Sequence, residues 1–472
     1  MSHIFSAELA VLRATEPPFG MQVSGGSTNR PEVVYPEEDW AWPDLSKPLS
    51  TIVRVENGTY IPEQSKPEFV YGAVGEFRTD GIKITSDAEK LNGFYVNACD
   101  QYVLSNAEIV LSGIGEDDFA GIGAAVLADG KSALTIKDST IVTTGASRPC
   151  TSATKTSTMK VINCKLIANG GPLPEDYVPV IGPGMLEPPK ALDIGGTCRA
   201  HLSMDNSKAY FYDTTITADG WAALSTDAAL GYVYLEANNC DLEVKNAGYG
   251  VYSDGDCHVV LNDCRIKTAT HTAIMAGWCD LALNNVTAKS GHYGAMIHCV
   301  MGVPTEVAEL TIRGGSYEVG EEFLLLRSTN TYIDMIGTKI KSKNGILVRS
   351  IINPDECTTK VGSDPVFGNN IVMTAMDVEG DILHEDTERT MSVTLACTTL
   401  RGKITDTYLT LDSASRWIAT GDSTVVLVGD VRASQMDAPA DVTITAGAGE
   451  GCNLNGTYTL TNGGKLVVAT AE

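Results

Sequence analysis

The stretch that decides the fold runs from Tyr249 to Cys299 and consists of consecutive, similar units. Residues 249–270 read YGVYSDGDCHVVLNDCRIKTAT, residues 271–291 read HTAIMAGWCDLALNNVTAKSG, and residues 292–299 open the next unit with HYGAMIHC. The units begin 22 and 21 residues apart. Each contains short runs of Val, Ile, Leu and Thr separated by Gly, Asn, Asp and Ser, a pattern typical of β-strands joined by tight turns. The chain therefore repeats a unit made only of strands.

The repeat extends beyond these units and predicts a solenoid. Further units begin with EFLLLRS at Glu322 and NGILVRS at Asn344, again 22 residues apart. A strand-only period of roughly 20 to 25 residues is typical of a parallel β-helix. One coil cannot bury its own inner face, whereas coils stacked about 4.8 Å apart satisfy each other's hydrogen bonds and share one core. Asn and Asp recur at the corners, in EANNCD, LNDC and LNNV, as turns with left-handed residues require.

These stacked coils, small and apolar interior positions and Asn-rich corners resemble the right-handed parallel β-helix, or pectate-lyase-like, superfamily over about residues 80–440. The resemblance implies an all-β fold, a single-stranded right-handed parallel β-helix with an irregular N-terminal arm and long inserted loops. Members of the superfamily are commonly polysaccharide lyases, glycoside hydrolases, esterases or epimerases, and others are adhesins or phage proteins. The resemblance lies in the repeat and includes no catalytic motif, so fold alone does not decide the function.

Departures from the repeat set the domain boundaries. Residues 1–60 are proline-rich and irregular, and we interpret them as an N-terminal arm or cap. Residues 61–440 are assigned to the β-helix and residues 441–472 to a C-terminal β cap. Loop insertions interrupt the coils at 170–190, within the stretch GGPLPEDYVPVIGPGMLEPPKALD (residues 170–193), and at 353–370, NPDECTTKVGSDPVFGNN. Insertions of this kind often line a binding groove on one face of a solenoid.

Charge and composition exclude several classes of partner. The net charge of −25, from 34 basic and 59 acidic residues, argues against nucleic acid, because its phosphates need a basic surface. The N-terminus has no charged region followed by an apolar stretch, and no window approaches 18 apolar residues, so we predict neither a signal peptide nor a membrane span. Twelve cysteines without C-x-x-C pairs are expected to be reduced in a cytoplasmic protein. We expect no metal site and no cofactor, and homo-oligomer formation stays open.

Alternation along the aligned strands places a column of polar side chains on the outer face. Neighbours in this column are expected about 5 Å apart. Two stacked arginines are unfavourable unless an anion lies between them, and a histidine beside such a pair is within reach for general acid or base chemistry. The alternative is that this column is an ordinary charged surface exposed to solvent. The column is predicted to run through Asp254, Ala276, His298, Arg327, Arg349 and Glu385.

A second column begins each coil with a ring. Such a ladder is explained either by plain ring stacking or by a platform for a planar or sugar ligand, with Tyr and His as acid–base groups. The predicted ladder contains Trp221, Tyr249, His271 and His292, with Tyr252 and Tyr293 close to both columns.

The sequence thus favours an acid–base enzyme, a lyase, epimerase or hydrolase, acting in a groove on the β-helix. The expected substrate is a small molecule or oligosaccharide with a hydroxylated ring, a saccharide bearing a carboxylate. Arg327 and Arg349 would hold the carboxylate, and His298 or His292 would abstract the proton. The remaining candidates are His271, Tyr249 and Tyr293 for proton transfer, and Asp254, Tyr252, Trp221, Lys190 and Asp193 for substrate binding. The alternative is a non-catalytic structural or ligand-binding β-solenoid, with these side chains scattered on an open face.

Overall fold

The computed structural model describes residues 43–44, 47–228, 231–298, 306–354 and 368–469, and these residues form almost only β-strands. From Ala133 to Ile351 the strands recur along the chain in a cycle of three, belonging in turn to sheets that we name C, B and A. A strand of each sheet pairs in parallel with the strand one cycle later, as Val251 with Ala273 and Ala273 with Ala295. The prediction of an all-β fold with stacked parallel strands is confirmed, and the architecture is consistent with a β-solenoid.

Sheet A carries most of the predicted site residues. Its strands, in the order in which they are hydrogen-bonded, are Thr59–Tyr60, Thr51–Glu56, Asn92–Asn97, Val126–Asp129, Thr151–Ala153, Arg199–Met204, Trp221–Asp227, Gly248–Asp254, His271–Ala276, Ala295–His298, Leu324–Arg327, Ile346–Ile351, Asp381–His384 and Ile404–Thr405.

Sheets B and C complete the coils. The strands of sheet B are Val70–Tyr71, Lys83–Ser86, Glu108–Ser112, Thr140–Thr144, Lys165–Asn169, Thr215–Ala218, Asp241–Val244, Arg265–Thr268, Thr287–Ser290, Ser316–Val319 and Lys339–Ser342. Those of sheet C are Arg78–Asp80, Tyr102–Ser105, Ala133–Lys137, Thr158–Ile162, Lys208–Tyr212, Val233–Asn238, Cys257–Asn262, Cys279–Asn284, Val307–Arg313, Asn330–Ile336, Asn369–Thr374, Met391–Ala396, Thr407–Leu411, Ser423–Leu427, Thr443–Ala448, Gly456–Thr459 and Lys465–Ala469.

Shorter elements fill the remaining places. After sheet B ends, a four-stranded sheet D takes its place in the cycle, with strands Asp377–Glu379, Thr399–Arg401, Arg416–Ile418 and Met436–Asp437. The described helices are single 3₁₀ turns at Pro62–Gln64, Pro67–Phe69, Lys190–Leu192 and Ala433–Gln435. No helix in the described ranges has both the length and the apolar character needed to cross a bilayer.

The corners between sheets C and B explain the recurrent Asn and Asp residues. Asn239, Asp263 and Asn285 each adopt a left-handed backbone with φ between 51° and 54°, a conformation that Asn and Asp tolerate better than other side chains. The preceding asparagines form a side-chain ladder, in which Asn262 donates to Asn238 at 2.9 Å and Asn284 donates to Asn262 at 2.8 Å. Local sequence therefore fixes the turn that starts each strand of sheet B.

The interior follows from the strand alternation. Inward side chains such as Val251, Ala273 and Ala295 are fully buried, and with their equivalents in the other sheets they form one continuous apolar core. Cys257 and Cys279 pair directly across neighbouring strands of sheet C. Ten cysteines lie in the described ranges, and no disulfide joins two of them.

The ends and the insertions show where the regular coils stop. The first parallel strand, Thr51–Glu56, already pairs with Asn92–Asn97, so stacked strands begin before residue 60. Past residue 440, Thr443–Ala448 and Lys465–Ala469 continue sheet C in parallel. Between Asn169 and Arg199 no strand is assigned, and this segment contains the loop of residues 170–193, which we name the proline-rich loop. Most of the second insertion, 355–367, and residues 1–42 of the arm lie outside the described residues.

Candidate functional site

The outward column of sheet A is present in part. Asp254 pairs with Ala276, Ala276 with His298, and His298 with Arg327, as the repeat predicted. The next residue in register, however, is Ile351. Arg349 pairs with Leu325 and stands in the neighbouring column. The predicted stacking of Arg327 on Arg349 is therefore wrong, and so is the argument that an anion must lie between them.

Arg349 and Glu385 have partners within the protein. Nη1 of the half-buried Arg349 lies 3.3 Å from the carboxylate of Glu322, and Nε lies 3.8 Å from Glu385. Glu322 is nearly buried while Glu385 is half exposed, with 8% and 54% of the side chain accessible. Two carboxylates thus surround this guanidinium.

The ring column differs from its predicted register by one residue at both ends. Tyr249 pairs with His271, as expected, but its partner on the other side is Ala222, and Trp221 pairs with Gly248. Since Ala273 pairs with Ala295, Tyr293 and not His292 stands opposite His271. The rings of His271 and Tyr293 are stacked, with centroids 4.9 Å apart and planes 19° apart. The ring centroid of His292 lies 5.7 Å from that of His271, and the planes of these two rings are tilted by 55°.

The proline-rich loop covers the outer face of sheet A around these rings. Met185 and Leu192 of the loop are buried against outward side chains of the sheet, forming a second apolar core separate from the interior one. Trp221, Tyr249 and His271 are at most 1% exposed beneath this cover. The buried members of this second core are Phe119, Met185, Leu192, Leu202, Met204, Trp221, Ala222, Tyr249, Ile274, Met296 and Leu325.

Two predicted site residues bind consecutive carbonyls of the loop. His271 donates from Nε2 to the Leu192 oxygen at 2.9 Å, and Arg327 donates from Nη1 to the Ala191 oxygen at 2.7 Å. Burial lowers the pKa of His271 to about 4, against the opposing effect of the Leu192 carbonyl. His271 is therefore neutral near pH 7, with its proton on Nε2 and Nδ1 available as an acceptor.

His298 lies between Arg327 and a tyrosine hydroxyl. Its Nε2 is 3.3 Å from the hydroxyl of the half-buried Tyr252, and Arg327 is its neighbour on the next strand. Burial, and then the charge of Arg327, lower the pKa of His298 to about 3. The imidazole is thus unprotonated at neutral pH. A cation, an imidazole and a hydroxyl thus meet within four consecutive strands of sheet A.

Asp254, at the other end of the column, is a carboxyl whose pKa is raised. Its half-buried side chain is near Asp227 and Glu306. Burial, and then these two carboxylates, raise the pKa of Asp254 well above the ordinary value of 3.8, although Arg199 opposes the shift. Asp254 and His298 are two strand steps apart, about 10 Å, and their environments push the two pKa values in opposite directions. Such pairs are typical of general acid–base sites, although structural networks produce them too.

The other predicted residues divide into buried and peripheral groups. The Tyr249 hydroxyl is 2.9 Å from Ser225 Oγ, and burial raises its pKa to about 12. Burial and the carboxylate of Glu321 raise the pKa of Tyr293. Asp193 is exposed and 3.4 Å from Nδ1 of His292, while Lys190 is exposed on the same turn of the loop. Tyr249 is thus enclosed, and Asp193, His292 and Lys190 lie at the solvent-facing rim.

The sequence interpretation missed a buried ion pair. Arg199 donates to both oxygens of Asp118, at 2.8 and 3.0 Å, and both side chains are at most 3% exposed. The Arg199 guanidinium lies 4.9 Å from the Phe119 ring centroid and 4.4 Å from that of Trp221. Arg199 pairs with Ala222 and so begins the column of Tyr249 and His271. An outward arginine directly after the proline-rich loop was the available signal.

Searches for relatives and for metal ligands gave no further assignment. Within the described ranges no three His, Cys, Asp or Glu side chains are grouped so as to hold a metal ion. No model of a known protein family matches the chain, and no curated protein sequence matches it.

Proposed function

We propose that the protein is an acid–base enzyme acting on a saccharide that bears a carboxylate, and that its site is the outer face of sheet A beside the proline-rich loop. The observation that carries the proposal is the juxtaposition of Arg327, His298 and Tyr252. Arg327 and His298 are neighbours in register, and the Tyr252 hydroxyl is 3.3 Å from His298 Nε2. A cation, an unprotonated base and a hydroxyl are the groups that removal of a proton next to a carboxylate requires.

The chemistry follows from these roles. Arg327 binds the substrate carboxylate, and His298 takes the proton from the carbon that bears it. The electron pair of that C–H bond moves onto the carboxylate, where the charge of Arg327 stabilises it. In a lyase the pair then returns to form a C=C bond and expels the neighbouring oxygen, which takes a proton from Tyr252. In an epimerase a proton returns to the opposite face of the same carbon. A hydrolase would make less use of Arg327, so proton abstraction is the favoured reaction.

The proposal extends to the fold and the partners. The chain is a single-stranded right-handed parallel β-helix related to the pectate-lyase-like superfamily, and it acts in the cytoplasm on a small molecule or oligosaccharide. The parallel sheets and Asn corners support the fold assignment. The net charge of −25 continues to disfavour nucleic acid as a partner.

The direct test is turnover of a panel of acidic oligosaccharides by the purified protein and by His298→Gln. We expect the variant to lose about a hundredfold or more in rate, the usual contribution of a positioned acid–base group. His258→Gln is the matched control, because His258 lies on sheet C beside Asp280, on a different face. Equal rates for the wild type and His298→Gln would remove His298 from the mechanism.

The second candidate function is a non-catalytic, ligand-binding or structural β-solenoid. The observation that favours it is the complete burial of Tyr249 and His271 under the proline-rich loop. In that case the rings serve to anchor the loop, and the His298→Gln and Arg327→Met variants lose stability without any turnover to lose. A binding assay against the same panel separates a ligand-binding module from a scaffold.

A further inference from the structure

The proline-rich loop places two consecutive carbonyl oxygens on two side-chain donors of sheet A. The Ala191 oxygen accepts from Arg327 Nη1 at 2.7 Å, and the Leu192 oxygen accepts from His271 Nε2 at 2.9 Å. The two donors come from strands separated by one intervening strand, Ala295–His298. The backbones of the two donors are therefore about two strand spacings, roughly 10 Å, apart. Their side chains converge on the two consecutive carbonyls.

Two buried histidine nitrogens at the same place have no partner among the described residues. They are Nδ1 of His271 and Nδ1 of His298, and the two side chains are at most 4% exposed. A buried polar atom left without a hydrogen bond destabilises the folded state, so such atoms call for an explanation. The hydroxyl groups of a sugar would supply the missing donors, whereas the loop supplies only acceptors to His271 and Arg327.

The contacts that hold the loop end are few. Leu192 packs in the second apolar core, with 6% of its surface exposed, and Asp193 approaches His292 at 3.4 Å with a side chain 66% exposed. Leu192 and Asp193 each close the 3₁₀ turn by one backbone hydrogen bond, to Pro189 and Lys190. A short segment held by one buried side chain and two carbonyls can be displaced by a ligand that replaces those interactions.

We propose that Lys190–Asp193 is an autoinhibitory strap whose Ala191 and Leu192 carbonyls occupy the places of two substrate oxygens, and that the substrate is a uronic-acid oligosaccharide that displaces it. The substrate carboxylate takes the place of the Ala191 oxygen on Arg327, and a ring or hydroxyl oxygen takes that of Leu192 on His271. This inference rests on the proposed function, because it assigns the substrate to the same face of sheet A. Only molecules with an open strap bind the substrate. The apparent affinity is therefore the intrinsic affinity multiplied by the open fraction.

The test weakens the strap without touching the donors. Leu192→Ser removes its apolar anchor, Asp193→Asn removes only the exposed contact with His292, and Val178→Ser is the control, since Val178 lies on the same loop and is 72% exposed. Calorimetric titration uses an oligomer of a uronic acid and the matching neutral oligomer, and hydrogen exchange of residues 185–194 without ligand reports strap opening. We expect Leu192→Ser to bind the uronate about tenfold or more tightly than wild type, Asp193→Asn to show a smaller gain, and Val178→Ser to match wild type.

Each other outcome has a defined meaning. Equal uronate affinity for wild type and Leu192→Ser, with faster exchange in the variant, overturns the strap and leaves the proposed function standing. Exchange unchanged in both Leu192→Ser and Asp193→Asn overturns the claim that these residues hold the loop closed. Absence of uronate binding to every variant, although exchange shows the loop open, overturns the proposed function and the substrate assignment with it. Equal binding of the neutral oligomer removes the role of Arg327 as a carboxylate ligand.

Discussion

Arg148 shows how much a single side chain can hold together in a solenoid. Its guanidinium is fully buried and donates five hydrogen bonds to backbone carbonyls that come from neighbouring coils. The accepting residues are Ala88, Leu91, Gly113, Ile114 and Gly123. Arginine suits this place because its planar fork presents five donors in fixed directions. The side chain thus links backbone segments that are 25 to 60 residues away in the sequence.

Replacing Arg148 by Met should therefore be severely destabilising. The variant leaves several buried carbonyls unsatisfied at about 1–3 kcal/mol each, so we expect the free energy of unfolding to fall by at least about 3 kcal/mol in urea titrations. Arg78→Met is the control, because the Arg78 side chain is 64% exposed and its ion pair with Asp80 is long, at 3.9 Å. This control variant should change the free energy of unfolding by no more than about 0.5 kcal/mol. Similar losses in the two variants would contradict this role for Arg148.

His201 provides a second test at the residue scale, through pH. It is buried in the interior, with Nδ1 2.9 Å from Thr151 Oγ1 and Nε2 2.7 Å from Ser203 Oγ, and burial lowers its pKa to about 3. The unfolded chain, with a histidine pKa near 6.5, binds more protons than the folded one between about pH 6.5 and 3. The stability from neutral His201 is therefore complete above about pH 6.5 and is lost as the pH falls toward 3.

The pH dependence of unfolding should change accordingly in His201→Gln. We expect the wild type to lose more stability between pH 6 and 4 than the variant, by up to about 1.4 kcal/mol per pH unit, the effect of one proton. Asp117 opposes the trend, since its pKa is raised to about 7 by burial and Asp118, but it is present in both proteins. Parallel curves for the wild type and His201→Gln would refute the assignment.

At the scale of the strand and the turn, close stacking decides which residues are tolerated. At two successive corners before strands of sheet A, backbone lies directly against backbone. A Cβ placed on Gly320 would lie 1.6 Å from the Gly291 oxygen, and one on Gly291 would lie 1.9 Å from the Ala269 oxygen. At Gly291 and Gly320 a Cβ therefore has no room, and any side chain would push the neighbouring coils apart.

Gly320→Ala tests this stacking. The added methyl meets rigid backbone rather than a flexible side chain, so we expect a loss of about 1–3 kcal/mol, the range for overpacked sites. Gly421→Ala is the matched control, since the nearest atom to its Cβ would be Lys403 Cδ at 3.7 Å. The control should be neutral or slightly stabilising, because alanine has less freedom to lose on folding. Differential scanning calorimetry of the pair gives the comparison, and equal melting temperatures would be evidence against the corner contact.

The elements also show what the sequence could and could not predict. Period and alternation correctly predicted the inward and outward faces around Val251 and His298, because a strand has a fixed two-residue period. Register across corners was less predictable, because corner length varies. The coil from Leu325 to Arg349 is 24 residues long rather than 22, so Arg349 falls outside the column of Arg327. A one-residue error of the same kind displaced Trp221 and His292.

At the scale of the whole molecule, contacts distant in sequence determine what the candidate site can do. The composition and repeat indicated stacked parallel strands, and the described residues form them. Nothing local indicated that the proline-rich loop would bury Tyr249 and His271, or that Asp118 would pair with Arg199, 81 residues away. Such contacts depend on how a loop folds back over a sheet, which strand alternation does not encode. The result is a site built on a regular face and closed by an irregular segment.

The measurement that tests the central claim most directly is solvent deuterium exchange into a bound uronic-acid oligosaccharide. In D₂O, proton abstraction by His298 should replace the hydrogen on the carbon that bears the carboxylate with deuterium. NMR should detect this exchange for the wild type and for His258→Gln. The same exchange should slow by about a hundredfold or more in His298→Gln. An oligosaccharide that binds to the wild-type protein yet keeps that hydrogen, at the rate seen without protein, would contradict the account.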